Sequence, residues 1–252
     1  LPHCGTRLVG GRLYQEFLNK GQPGEKLIDL YNDYLKRVKV PKEIMNEIYK
    51  ENSIYPSFYK DLYENDFIFI FPSLFRTMIE LQSQNRIFAI IFRTFGLDFD
   101  DVIKEYNAFC EGNHPLFNGS NKKYPKNKFN GENCSKDYRL TEKNIGIIYR
   151  FDENINNLYL VLGCLKRNFE IKTSDELFNF YKERINNGKV NIIKGGKEIF
   201  EFINKNSSEG KINSFCLNDH YDTWYRYDKK ETCGKPMLID PENKDVEVFF
   251  FD

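Results

Sequence analysis

Two residues in this sequence close long apolar runs in the way that phosphate chemistry requires. Thr94 follows the run 87–92 (Ile-Phe-Ala-Ile-Ile-Phe) after a single arginine, Arg93, and its hydroxyl can donate to an anionic oxygen. Asp252 ends the run 246–251, where a carboxylate can hold a hard cation such as Mg2+. A third residue, Lys235 in Gly234-Lys235-Pro236, can neutralise charge on a phosphoryl group or on an aspartyl intermediate. The shared logic is that open α/β sheets bind phosphates at the carboxyl ends of their strands, where loop N–H groups and helix N-termini converge. Each residue alone also fits an ordinary turn or cap, so the weight lies in their joint occurrence.

Other constellations compete. Asp98-Phe99-Asp100-Asp101 contains the chain's only Asp-x-Asp, yet it stands at a helix start, where aspartate caps the helix and complements its dipole. Cys110-x3-His114 and Cys216-x3-His220 together make a Cys2His2 set with zinc-type side chains. Unreactive packing of both cysteines is the plainer reading, and zinc is not expected. Gly195-Gly196-Lys197 lacks the rest of a phosphate-loop pattern and reads as a plain turn between strand and helix. The loop around Lys122, Lys123, Lys126 and Lys128 reads as solvated rather than as a nucleic-acid surface, and Trp224 reads as packing.

The elements that must position these groups follow from periodicity. Residues 25–38 and 42–49 carry apolar side chains at helical spacing, which predicts a helical layer over 1–66. The run 67–71 predicts a short buried strand or core-entry segment, residues 73–84 a helix, and 86–92 a strand so apolar that it should be central and parallel. A helix follows over about 99–109. Residues 113–135 predict a long loop, 145–150 and 158–163 a hairpin, and Thr173-Ser-Asp-Glu176 a capping box opening a helix. Strand, helix and strand follow over 190–193, around 199–203 and over 211–217, with closing strands at 237–239 and 246–252.

Lys plus Arg and Asp plus Glu are 37 each, so no global basic field points to nucleic acid or a membrane surface. The 74 residues of Leu, Ile, Val and Phe, about 29% of 252, place the chain among folded proteins. No apolar run approaches the ~20 residues of a membrane span. The sequence begins at Leu1 rather than Met, which predicts a fragment or processed form, and nothing near it resembles a signal peptide. Six scattered cysteines predict reduced thiols in the cytoplasm, and three glycosylation triplets among 27 asparagines are of the kind chance supplies.

The order of these features carries a family resemblance. The stretch LFRTMIELQSQNRIFAIIFRTFG resembles the helix, strand and second motif of haloacid-dehalogenase-like (HAD-like) phosphohydrolases. Gly234-Lys235-Pro236 resembles their third motif, and VEVFFFD their fourth. Phe92-Arg-Thr-Phe-Gly96, Tyr106-Asn-Ala-Phe-Cys-Glu-Gly112 and the closing Phe-Phe-Phe-Asp resemble a little-characterised subgroup of that superfamily. The resemblance implies an α/β, Rossmann-like core with a parallel sheet over 67–112 and 174–252. A helical cap-like segment over 1–66 and a small β-containing insertion over 113–173 would complete it. It implies that Thr94 binds the transferring phosphoryl group, Lys235 stabilises the covalent intermediate and Asp252 ligates Mg2+. The implied activity is Mg2+-dependent hydrolysis of a small phosphorylated molecule by the full-length protein. The family's nucleophilic Asp-x-Asp has no counterpart before Pro72, so a non-catalytic binding module on the same scaffold is the rival expectation.

Overall fold

The computed structural model describes residues 16–96, 98–119, 126–132, 136–164, 168 and 170–251. The chain divides into two compact units, Leu1–Glu80 with Gly96–Asn127 and Leu81–Phe95 with Lys128–Asp252.

The described part of the first unit is helical, as its periodicity predicts. After a 3-10 turn at Glu25–Leu27 come α1 (Ile28–Val38), α2 (Lys42–Tyr49), α3 (Phe58–Leu62), α4 (Pro72–Ser83) and α5 (Phe99–Cys110). Val40, Met45, Ile48, Tyr55, Tyr59, Tyr63 and Ala108 form one buried cluster. Phe75 stacks on Phe109 at 4.2 Å, and both meet Phe117 edge-on. Residues 67–71, expected as a strand or core-entry segment, form only one bridge, Lys39 to Phe67, with Ile68 and Phe69 packed on the buried cluster, before Pro72 opens α4 at the position where its missing N–H costs nothing. The reason is local: the Ile70 N–H is bound by the buried Glu105 carboxylate at 2.6 Å instead of by a neighbouring strand. Asp98 occupies the N-cap position of α5 but makes no side-chain cap hydrogen bond; Asp100 and Asp101 stand in the first turn, where they complement the helix dipole.

The second unit is an α/β sheet. Its elements are β1 (Ile90–Thr94), β2 (Ile145–Arg150), β3 (Leu158–Leu162), α6 (Ser174–Asn186), β4 (Asn191–Lys194), α7 (Gly196–Ser208), β5 (Ser214–Asp219) and α8 (Tyr221–Arg226). The strand order is β1-β5-β2-β3-β4. β1, β5 and β2 run parallel, and β3 is antiparallel to both β2 and β4. The expected parallel sheet is therefore corrected to a mixed one. A hairpin reverses chain direction, and this hairpin, read from the sequence as part of an insertion, is built into the sheet between β5 and β4.

Alternation along the strands explains the layers. Ile147, Tyr149, Tyr159 and Val161 face Leu177 and Tyr181 of α6. Ile148, Leu158, Leu160 and Leu162, with Phe215 and Leu217 of β5, face Ile199 and Ile203 of α7. With a side-chain period of two, β2 and β3 each feed both cores, and burying each large apolar side chain contributes about 1.5–3 kcal/mol. The capping box forms as expected: Thr173 Oγ1 accepts the Glu176 N–H at 3.2 Å, and the Glu176 carboxylate accepts the Lys172 N–H at 2.7 Å. Gly195, at φ 98°, makes the turn into α7, and a Cβ on Gly196 would meet Ile155 at 2.8 Å, so Gly195-Gly196 is a packed βα turn.

Two strand expectations differ further. β1 is an outer strand of the order rather than a central one; Ile91 is 41% exposed, because an apolar run cannot by itself distinguish centre from edge. Residues 237–239 and 246–251 form no strand, and Phe249 and Phe251 stand 74% and 85% exposed.

Tyr59, Tyr63 and Tyr181 are buried, and burial pushes each phenol above its usual range. Their raised folded values mean that stability is full below about pH 10 and falls above it, as unfolded phenols ionise while buried ones cannot. Phenolate absorbance in an alkaline titration should show these tyrosines ionising only together with unfolding. Titration of all 16 tyrosines near pH 10 with the fold intact would contradict this.

Candidate anion-binding site at the carboxyl end of the sheet

Three parallel strands end together in polar residues. β1 closes in Arg93-Thr94, β5 in Asn218-Asp219 and β2 in Arg150; Thr94 pairs in register with Asn218, and Ile148 with Asp219. The Asp219 carboxylate is almost wholly buried, with 4% of its side chain exposed, and the Arg93 guanidinium grips both its oxygens, Nε reaching Oδ2 at 3.1 Å and Nη2 reaching Oδ1.

The same guanidinium reaches further. Arg93 Nη1 donates to the Pro236 carbonyl, and Arg150 Nη1 donates to the Gly234 carbonyl at 3.2 Å. Arg150 spends its other donors on the carbonyls of Asp152, at 2.9 Å, and Glu153, at 2.8 Å. Two arginines from two strands thus hold the carbonyls on either side of Lys235. The lysine ammonium lies 3.4 Å from the Arg93 carbonyl and 5.2 Å from the centre of the Phe95 ring, which itself stacks on Trp224 at 5.4 Å. The expected packing role of Trp224 is seen in that stack.

Compared with protein-family profiles, curated proteins and solved structures, the chain matches none.

The geometry therefore brings Lys235 to the end of β1, whose last residue is Thr94; Asp252 lies outside the described residues. Sequence reasoning passed over Arg93, Arg150 and Asp219. Asp219 had a readable signal, since it ends an apolar strand as Thr94 does, but the predicted strand stopped at Leu217, two residues short. The pairing with Arg93 spans 126 positions, and no local pattern announces it.

The zinc pairs divide between the units: Cys110 and His114 belong to the first, Cys216 and His220 to the second. His114 Nδ1 accepts the Leu116 N–H at 3.1 Å, and its Nε2 faces the Glu105 carboxylate at 3.3 Å. Burial pushes the Cys216 thiol well above its usual range, away from the thiolate that binds metal. Cys110, Cys164, Cys216 and Cys233 are buried. Among the described residues no helix is long and apolar enough to cross a membrane.

Proposed function

We propose that this chain is a HAD-like protein that holds the phosphoryl group of a small phosphorylated molecule between Lys235 and Thr94. The observation that supports this reading is the double arginine clamp on residues 234–236. A lysine serving only solubility needs no anchored backbone, whereas one that must meet a phosphoryl group does, because phosphoryl transfer depends mainly on positioning and charge neutralisation. Lys235 supplies the charge and the Thr94 hydroxyl a donor.

In the terms of the resemblance, the bound molecule is a substrate for Mg2+-dependent hydrolysis with Asp252 as the metal ligand. Asp219 does not fit that metal or the nucleophile's task, because Arg93 already neutralises it. A non-catalytic module would share the binding step. The setting proposed with this reading is the reducing cytoplasm, from the six scattered cysteines of the sequence.

The binding step is tested by calorimetric titration with inorganic phosphate and phenyl phosphate. Lys235→Met and Thr94→Val should each weaken binding about tenfold or more, the worth of one hydrogen bond to a charged group. Unchanged affinity in Lys235→Met sinks the reading. Phosphate release from a panel of monoesters with added Mg2+ separates the hydrolase from the module.

A further inference from the structure

A patch of four aromatic rings stands beside Lys235, all within the second unit. Phe95 is the residue after β1, and Tyr221, Trp224 and Tyr225 lie at i, i+3 and i+4 on α8, the spacing that puts side chains on one helix face. α8 follows β5, which pairs with β1, so that face meets Phe95. Thr223, on the opposite face, is buried, and its hydroxyl donates to the Arg150 carbonyl, which fixes the helix and turns the aromatic face outward. Phe95, Tyr221 and Trp224 form a triangle with ring centres 5.4, 5.7 and 5.8 Å apart, and Tyr225 extends it, stacked on Tyr221 at 6.0 Å. The triangle is only half-buried, Tyr225 is 63% exposed, and none of the four rings belongs to the apolar cluster on either face of the sheet.

Packing on Phe95 orients the indole of Trp224 without hiding it. Half-open tryptophan and tyrosine rings suit a binding surface, because each offers a large contact area with few rotatable bonds to immobilise. The charge beside them is Lys235, whose ammonium lies 5.2 Å from the centre of the Phe95 ring. Trp224 Nε1 lies 3.9 Å from the place a Cβ on Gly234 would take, so the indole borders the loop that carries the lysine. Lysine and rings therefore make one surface, positive at one end and aromatic over the rest. The charge asks for an anionic head. The rings ask for a flat apolar body, since such a body gains stacking or edge-to-face contact beyond the burial an aliphatic group would gain. A sugar or polyol phosphate would use the lysine and leave the rings in water.

We infer that the phosphorylated molecule held at Lys235 carries an aromatic ring, as an aryl phosphate or a nucleoside monophosphate does, and that this ring packs on Trp224 and Tyr221. The inference rests on the Thr94–Lys235 reading and names the substrate class of that same site.

The test is titration of the whole chain by calorimetry and by tryptophan fluorescence, because Trp224 is the only tryptophan and its emission reports on the patch directly. Phenyl phosphate and cyclohexyl phosphate present a flat and a puckered ring on the same head. Phenyl phosphate should bind about fivefold or more tightly, the worth of one stacking contact, and should change the Trp224 emission. Adenosine monophosphate against ribose 5-phosphate asks the same of a nucleobase: a preference in both pairs includes nucleoside monophosphates, and one in the phenyl pair alone narrows the class to aryl phosphates. Trp224→Leu with Tyr221→Leu should erase the preference, and Trp224→Phe should keep most of it. Equal affinity for phenyl and cyclohexyl phosphate, or a preference that survives the double leucine variant, overturns the inference while phosphate binding at Lys235 still stands. Absence of binding by every probe, inorganic phosphate included, sinks the Thr94–Lys235 reading and the inference with it. Circular dichroism of each variant confirms that a loss is not unfolding.

Discussion

Replacing Arg93 by methionine should destabilise the sheet unit by about 3–5 kcal/mol, read as a lowered urea midpoint, because it leaves the Asp219 carboxylate buried without its partner. Methionine keeps most of the volume, so the loss reports charge rather than a cavity. Asp219→Leu alone strands the guanidinium, which is 14% exposed and can reach water, so it should cost less. The double variant Arg93→Met, Asp219→Leu should regain most of the loss, since apolar residues often replace a buried ion pair with little penalty. A single Arg93→Met variant as stable as the parent, or a double variant no better than it, would show that the pair is not what holds these strand ends.

The same substitution should be felt at Lys235. With Arg93 gone, the Pro236 carbonyl loses its donor while Gly234 keeps Arg150, so residues 234–236 stay tethered at one end only. Placement of the ammonium then varies, and affinity for phosphate should fall in Arg93→Met even under conditions where the fold is intact. On the proposed reading, stability and binding would be coupled through one guanidinium that serves a carboxylate and a carbonyl at once.

What the sequence disclosed follows the range of the interactions involved. The hairpin of β2 and β3, the capping box at Thr173 and the turn at Gly195 are local, and each was readable within a short stretch of chain. The layers on the two sheet faces follow from strict alternation in β2 and β3. Apolar runs without alternation misled: 67–71 and 246–251 carry the composition of buried strands, yet the first gives its Ile70 N–H to a side chain and the second leaves Phe251 in solvent. Of the candidate site, Thr94 and Lys235 stand out in the sequence because strand ends and Gly-Lys-Pro turns are short patterns. Arg93 with Asp219, and Arg150 with Gly234, join positions far apart in the chain, and only the fold shows that they meet.

The other large effect is expected in the helical unit, at Glu105. This carboxylate is wholly buried on α5, with Oε2 accepting the Ile70 N–H at 2.6 Å and Oε1 accepting the Tyr63 hydroxyl. Because His114 Nδ1 accepts the Leu116 N–H, the ring's proton sits on Nε2, aimed at the same Oε1 at 3.3 Å. Glu105→Leu therefore strands three buried donors, and at about 1–3 kcal/mol each the loss should exceed about 3 kcal/mol. Glu105→Gln should fall between the parent and Glu105→Leu, since its amide oxygen can still accept but its NH2 faces a donor. The contrast is Tyr59, one turn before Tyr63, whose hydroxyl is buried without a hydrogen bond. Removing that oxygen in Tyr59→Phe breaks nothing and should be neutral or stabilising. Urea unfolding of the three variants, followed by circular dichroism, orders them; Glu105→Leu as stable as Tyr59→Phe would mean that water reaches these donors and that the residues around Glu105 do not form a sealed polar core.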